Sequence, residues 1–284
     1  MSKYKFKKFE RNQEPPKFRI GQTDIKILND LSDCRTLDTK HILALHPEMS
    51  QRTLQSRLYF LFHAGYVERP VSQISYFRES GHLVYSLTKK GAGLVSQNKG
   101  LPSPAKKPKE LGVSFLQHSL MISNFKTILN LALEKERNAK LIVWRELGPI
   151  DAVQCEGERL PIAPDAFFTL ETKDYLMHFF LEVDRSTMTG ERLLDKFKGY
   201  WIWRAEGRQK TKLEIANFRV LTICLSRERA ENLRQIAKKA DDHQTGSEMF
   251  WFACEGSYSL KEPENVLQNI WKTPKNDLPH CLLE

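Results

Sequence analysis

The sequence of 284 residues lacks several features that would place it in a specialised class. No apolar run approaches the ~18 residues that a membrane-spanning helix needs. The N-terminus is basic but is followed by no apolar segment, so a secretory signal peptide is not expected. The five cysteines form no CxxC pair, which argues against a zinc site or a disulfide framework. We therefore expect a cytoplasmic protein with no membrane partner.

What the sequence does have is an uneven distribution of charge. The net charge is +9, and residues 1–110 carry 20 Lys and Arg against 10 Asp and Glu, so the whole positive excess lies in the N-terminal part. A basic module joined to a neutral one indicates contact with a polyanion, most often nucleic acid. A solvated basic face without a partner is the plainer alternative.

Composition divides the chain into four segments. Residues 1–20 are basic and aromatic and contain a pair of prolines, so we expect a flexible arm. Residues 99–111 are rich in proline and lysine and are expected to form a linker. The linker separates a first domain, 21–98, from a second domain, 112–284.

Three helical patterns open the first domain. Thr23 or Asp24 can cap the first helix, Asp38 the second, and Ser50 the third. The third pattern ends at Gly65, a residue suited to a helix C-terminus. Three short helices in succession are typical of helix-turn-helix domains.

Two strand-like runs follow at residues 71–76 and 82–87. Helix, helix, helix and hairpin in that order resemble a winged helix-turn-helix, whose third helix enters the major groove of DNA. Polar side chains on the outer face of that helix can read base edges, and cations in the hairpin and the turn after it can hold phosphates. The candidate DNA-binding residues are Gln51, Arg52, Gln55, Ser56, Arg57, Arg78, Lys89 and Lys90. The alternative is a winged helix that docks a protein partner.

The second domain has the order helix, three strands, helix, strand, helix, strand. Residues 160–170 and 175–183 are expected to be neighbouring strands, and residues 190–204 an amphipathic helix. A short closing helix is expected at residues 266–271. This order resembles the restriction-endonuclease-like α/β core, which has a central mixed sheet with helices on both faces. The expected fold class is therefore α+β or α/β, with a winged helix-turn-helix followed by a restriction-endonuclease-like domain.

Two carboxylates of the second domain lie in apolar, strand-like runs. Asp165 occurs in IAPDAFF and Glu182 in HFFLEVD. A buried carboxylate is costly unless it is paired or binds a cation. The two positions resemble the first two carboxylates of the PD-(D/E)xK nuclease motif. That resemblance implies that Asp165 and Glu182 would bind Mg²⁺ or Mn²⁺ if the site is active.

Asp184 stands where the motif has its lysine, and a carboxylate cannot replace a cation at a phosphate. Two sources could supply the lost cation: the adjacent Arg185, whose side chain should project to the opposite face of the strand, and Lys196 or Lys198 on the following helix. KFKGY is similar to the QxxxY helix motif of recombination-type nucleases, and Lys196 and Tyr200 share one helix face. A decayed site with Asp184, Arg185 and Lys196 in structural ion pairs is the alternative. The candidate catalytic residues are Asp165, Glu182, Asp184 and Lys196.

The winged-helix pattern, the helix FLQHSLMISNFKTIL and the core APDAFF…FFLEVDRSTMTGERLLDKFKGYW together resemble the replication-relaxation family of bacterial plasmid and mobile-element proteins. The resemblance implies double-stranded DNA binding in plasmid replication or conjugative mobilisation, in the cytoplasm. Its implied protein partners are a relaxase, a replication protein or another mobile-element protein. We expect a DNA-binding accessory protein whose nuclease-like core lacks the full catalytic set. A metal-dependent endonuclease or nickase and a transcriptional regulator are the alternatives, and a homodimer is left open.

Overall fold

The structure is a computed structural model, and it describes residues 7–100, 112–186, 188–241 and 245–284. The chain divides into two compact units, of which the first ends at Thr127 and the second begins at Ile128. Most of the predicted linker lies outside the described residues. None of the helices in the described stretches is long and apolar enough to cross a membrane.

The first unit begins with the three predicted helices, α1 (Gln22–Asp33), α2 (Thr39–Leu45) and α3 (Gln51–His63). Asp38 and Ser50 cap α2 and α3 as predicted, since their side chains accept hydrogen bonds from backbone N–H groups of the first helical turn. The N-cap of α1 is Gly21 instead of Thr23 or Asp24. Asp24 lies one turn further in, where its carboxylate accepts a hydrogen bond from the Gly21 N–H at 2.8 Å.

A small antiparallel sheet and two further helices complete this part of the first unit. The elements are β1 (Leu37–Asp38), β2 (Val67–Glu68), α4 (Ile74–Ser80), β3 (Val84–Leu87) and α5 (Lys89–Lys99). The strands lie in the order β1-β3-β2. The strand predicted at residues 71–76 is wrong, because a 3₁₀ turn there leads into α4. The buried side chain of Gln73 explains the difference, since its amide makes hydrogen bonds of 2.6 and 2.8 Å to the backbone N–H and C=O of Val84.

The described part of the predicted arm packs against α3. Arg11 donates from Nε to the carbonyl oxygen of Phe62 at 2.9 Å, and the N–H of Asn12 donates to Nδ1 of His63 at 3.0 Å. Phe18 stacks on Phe60 with ring centroids 5.4 Å apart. These contacts place Arg11, Asn12 and Phe18 against α3, within the segment for which the sequence predicted a flexible arm.

The long helix predicted after the linker is α6 (Val113–Lys135). Its first part belongs to the first unit, where Leu116 and Leu120 pack with Val84, and Ser119 accepts a 3.0 Å hydrogen bond from Thr36. The division at Thr127 therefore falls within a helix, whereas the sequence predicted that the second domain begins at residue 112.

The second unit is built on a seven-stranded mixed sheet, which confirms the predicted central mixed sheet. The strands of this unit, in the sheet and in a separate hairpin, are β4 (Ala139–Glu146), β5 (Asp151–Cys155), β6 (Glu158–Ile162), β7 (Ala166–Thr172), β8 (Leu176–Asp184), β9 (Arg219–Cys224), β10 (Phe250–Cys254), β11 (Trp271–Lys272) and β12 (Pro279–His280). The order in the sheet is β12-β11-β10-β9-β8-β7-β4, and β5 and β6 form a separate hairpin. Strands β8, β9 and β10 are parallel, and the other neighbours are antiparallel.

Two of the predicted elements of the second unit are wrong. The single strand expected over residues 160–170 is split into β6 and β7, because the intervening segment contains Pro164, which has no N–H for a sheet ladder. The closing helix expected at residues 266–271 is a 3₁₀ turn, Pro263–Leu267, followed by β11.

Three helices lie between the strands: α7 (Gly190–Ala205), α8 (Arg208–Leu213) and α9 (Arg227–Lys238). The sequence predicted α7 and α9 but not the short α8. Phe197 on α7 and Leu233 on α9 belong to one buried cluster with Phe180 of β8 and Phe250 of β10. The same face of the sheet therefore meets both helices, and side chains at alternate positions of β8 face them.

Candidate functional site

The N-terminal half of α3 presents four of the predicted DNA-binding residues to solvent. Gln51, Arg52, Gln55 and Ser56 are exposed, whereas Leu54 on the opposite face is buried. The segment 8–20 contacts the C-terminal half of α3, so the first two turns form its open part. In helix-turn-helix proteins the N-terminal residues of the recognition helix contact base edges.

Arg57 differs from these four residues because its guanidinium is already engaged. Its Nε donates to Oδ1 of Asp24 at 2.7 Å, and its Nη2 donates to Oδ2 of the same carboxylate. The guanidinium also lies 4.7 Å from the ring centroid of Phe18. Asp24 is fully buried, so the pair ties α3 to α1. Arg57 therefore has a structural role in holding α3 to α1, which the sequence pattern did not reveal.

The three predicted phosphate-binding cations lie on helices. Arg78 is exposed on α4 and not in a hairpin, and Lys89 is exposed at the first position of α5. Lys90 donates from Nζ to the carbonyl oxygen of Ala64 at 2.9 Å, and its ammonium lies 4.2 Å from the ring centroid of Tyr66. Arg78 and Lys89 are thus the more available of the three.

In the second unit, Glu182 lies buried on β8 beneath α7. Its Oε1 accepts a 2.6 Å hydrogen bond from the hydroxyl of Tyr200, and its Oε2 accepts one from Nζ of Lys196. The structure therefore brings Lys196 to Glu182, and the helix face that Lys196 and Tyr200 share meets a single carboxylate. The spacing of four residues places both donors one turn apart.

Burial controls the ionisation of this pair. Burial raises the pKa of Glu182 to about 7, although the nearby charge of Lys196 favours the ionised carboxylate. Burial alone would lower the pKa of Lys196, but attraction to Glu182, Asp165 and Asp184 raises that pKa above its ordinary value. Lys196 is therefore charged at neutral pH, whereas Glu182 titrates close to neutrality.

Asp165 lies beside Glu182, in the segment between β6 and β7. Its Oδ2 accepts a 2.8 Å hydrogen bond from the backbone N–H of Val183, and its own N–H donates to the carbonyl oxygen of Leu181 at 3.0 Å. The charge of Asp165 also raises the pKa of Glu182. The two carboxylates that the sequence placed together are thus neighbours in the structure.

Asp184, at the position of the motif lysine, is paired with Arg229 of α9. Its Oδ2 accepts from Nε of Arg229 at 2.7 Å and its Oδ1 from Nη2 at 3.2 Å. Arg229 also donates to the carbonyl oxygen of Met188 at 3.3 Å. Sequence reasoning missed Arg229. A signal was available, because Arg229 precedes the buried Leu233 by four residues and so lies on the sheet-facing side of α9.

The residues present do not fit a Mg²⁺ or Mn²⁺ centre as they are arranged. Such cations are usually held by several oxygen ligands. Oε2 of Glu182 accepts a hydrogen bond from Lys196 and Oε1 accepts one from Tyr200. Oδ2 of Asp165 accepts a hydrogen bond from a backbone N–H. Across the described stretches, no group of three or more His, Cys, Asp and Glu side chains is placed to hold a metal ion.

Comparison with protein-family models identifies the family of the chain. The family model described as replication-relaxation matches residues 28–216, which run from α1 to just beyond α8. The chain belongs to the replication-relaxation family. The match includes α3 as well as Glu182 and Lys196, and membership indicates a role in mobile-element replication. None of the curated proteins and none of the solved structures compared matches the chain.

Proposed function

We propose that this replication-relaxation protein is a DNA-binding accessory protein of plasmid or mobile-element replication or conjugative mobilisation. The observation that carries the proposal is the open N-terminal half of α3, where Gln51, Arg52, Gln55 and Ser56 are exposed side by side. Arginine and glutamine form two-pronged hydrogen bonds with guanine and adenine edges in the major groove. These residues would supply the choice of base sequence.

The charge distribution supports a double-stranded DNA partner for the first unit. The positive excess of the chain lies within residues 1–110. Arg78 on α4 and Lys89 on α5 are exposed in the same unit as α3 and could neutralise phosphates. Binding should therefore weaken steeply as salt concentration rises, because each neutralised phosphate releases counterions.

In this proposal the second unit is a scaffold without nuclease activity. Glu182 and Asp184 each have a cation from a helix, Lys196 and Arg229, so the charges of β8 are balanced within the unit. A divalent cation would have to compete with Lys196 for Glu182. A relaxase or a replication protein is the partner class that this scaffold would serve.

The test is fluorescence anisotropy with full-length protein and DNA fragments tiled across the genetic neighbourhood of its gene. Replacing both Arg52 and Gln55 by alanine should weaken binding to the preferred fragment about tenfold or more and leave binding to other fragments nearly unchanged. Lys26→Ala, which removes an exposed charge from α1, is the control and should preserve the preference. Equal loss on every fragment, or no loss, would contradict readout by α3.

The metal-dependent nickase is a second candidate, and one observation favours it. Lys196 reaches Glu182, as a replacement for the missing motif lysine must. Supercoiled plasmid carrying the same DNA should be incubated with Mg²⁺ or Mn²⁺ and either wild type or Asp165→Ala. Nicking by wild type that is lost in the variant would overturn the scaffold proposal. DNA binding without cleavage by either protein is the result we expect.

A further inference from the structure

A cavity of about 830 Å³ opens on the second unit at the amino-terminal ends of the central strands, whereas Glu182 and Asp184 lie towards the carboxyl end of β8. It is bordered by the amino ends of the three parallel strands, near His178 of β8, Arg219 of β9 and Trp251 of β10. Cavities that bind small molecules are usually ~300–1,000 Å³ in volume. None of the site residues predicted from the sequence lines this cavity.

Arg219 is the most unusual side chain of this cavity. Its guanidinium lies 4.3 Å from the ring centroid of Trp251. Its Nη1 is buried and has no hydrogen-bond partner among the residues that the structure describes. A charged group with a buried donor that lacks an acceptor is costly, and Arg219 as a whole is only partly buried, so an anion that approaches the accessible part of the guanidinium would stabilise it.

The carboxylates that line the cavity are already engaged. Glu248 accepts from Nζ of Lys275 at 2.8 Å, and Glu284 pairs with Nδ1 of His280. Asp241 accepts from the backbone N–H groups of Thr245 and Gly246 at 3.1 and 2.8 Å. The charges of Glu284 and Glu248 still act on Arg219, but both carboxylates make their hydrogen bonds to other residues.

A second arginine and two further aromatic rings also line the cavity. Arg204 donates to Oδ1 of Asn217 at 3.5 Å, a long contact that leaves most of its donors for a ligand. Trp201 is half-buried and Tyr175 half-exposed at the cavity wall. Aromatic rings of this kind stack on nucleobases, and arginine forks bind phosphate oxygens in two-pronged fashion.

We propose that this cavity binds a nucleotide, with its phosphate at Arg219 and Arg204 and its base against Trp201 or Tyr175. The nucleotide is either free or the phosphorylated end of a single DNA strand, since both offer the same phosphate and base. This site is separate from α3, and the proposal goes beyond the proposed function because it does not depend on duplex recognition by the first unit.

Tryptophan fluorescence of the full-length protein provides the test. Trp201 and Trp251 line the cavity, and all five tryptophans of the chain lie in the second unit. Wild-type protein is titrated with AMP, with a 5′-phosphorylated tetranucleotide and with adenosine. We expect saturable quenching by both phosphorylated ligands and much weaker binding of adenosine. Tighter binding of AMP would identify a free nucleotide, and tighter binding of the tetranucleotide a strand end.

Arg219→Gln should weaken binding of the phosphorylated ligands about tenfold or more, since hydrogen bonds to a charged group are lost. Arg145→Gln, which removes an exposed arginine from β4, is the matched control and should bind like wild type. Because Arg219 also stacks on Trp251, Arg204→Gln at the rim is the second variant and should weaken binding if Arg219→Gln does not fold. Absence of saturable quenching in wild type, or unchanged affinity in the folded variants, would overturn the proposal.

Discussion

The ammonium of Lys196 on α7 donates to the carboxylate of Glu182 on β8, fourteen residues earlier in the chain. Two residues further along the same strand, Asp184 is held by Arg229 of α9. Each carboxylate on this face of β8 therefore has its own cation, and the two cations come from different helices. A nuclease motif with one lysine on the strand is replaced here by two paired charges.

The raised pKa of Glu182 predicts a pH dependence of stability in the second unit. Between about pH 4.5 and pH 7 the folded protein keeps a proton on Glu182 that the unfolded chain has released. The contribution of Glu182 to stability is therefore full below this range and is lost as the pH rises through it. The difference in unfolding free energy between wild type and Glu182→Gln should fall by roughly 3 kcal/mol across the range.

The measurement is urea unfolding of wild type and Glu182→Gln at several pH values, followed by tryptophan fluorescence. Glutamine keeps the shape of the side chain and does not titrate, so other groups cancel in the difference. Above about pH 8 the difference should be constant. A difference that does not change with pH would show that Glu182 has an ordinary pKa.

Breaking the pair between Asp184 and Arg229 should destabilise the second unit. Each single alanine variant leaves a largely buried charge without its partner, at a cost of about 3 kcal/mol. The double variant should cost clearly less than the sum of the two, with a coupling energy of ~1–3 kcal/mol. Urea unfolding of the four proteins measures the cycle. Arg227→Ala, an exposed arginine on the same helix, is the control, and additive costs would disprove the coupling.

Two arginines of α3 should contribute very unequally to the stability of the first unit. Arg57→Met leaves the fully buried Asp24 without its cation and should cost about 3 kcal/mol. Arg52→Met changes an exposed side chain and should alter stability by no more than ~0.5 kcal/mol. Thermal unfolding of both variants is followed by circular dichroism. Equal melting temperatures would contradict the role of Arg57 in stabilising the buried Asp24.

Gly91, in the first turn of α5, should tolerate no side chain. A Cβ atom built there lies 2.1 Å from the carbonyl oxygen of Tyr66, which is backbone and cannot rotate away. Gly91→Ala should therefore destabilise the first unit by about 1–3 kcal/mol. At Gly148 nothing lies within 4 Å of the added atom, so Gly148→Ala is the control and should leave stability nearly unchanged. Thermal unfolding of both variants decides the matter, and equal stability would argue against the close approach.

Local sequence patterns predicted those elements whose signals lie within a few residues of one another. Asp38 and Ser50 were predicted as caps because a cap bonds N–H groups two or three residues away. The strand predicted at residues 71–76 failed, since the side chain of Gln73 takes over hydrogen bonds along β3. An alternation of apolar residues predicts a strand. It does not show whether the backbone N–H and C=O groups of a neighbouring strand will be bonded by another strand or by a side chain.

The sequence by itself determined the family, the mixed α and β character, and the helix face that Lys196 shares with Tyr200. Helical periodicity states which side chains point the same way, and it needs no knowledge of the rest of the chain. Tertiary structure alone decided that Arg57 pairs with Asp24, 33 residues away, and Arg229 with Asp184, 45 residues away. A buried charge pairs with whichever opposite charge lies close to it once the helices and strands have packed. The number of residues between the two charges in the sequence does not reveal the distance between them in space.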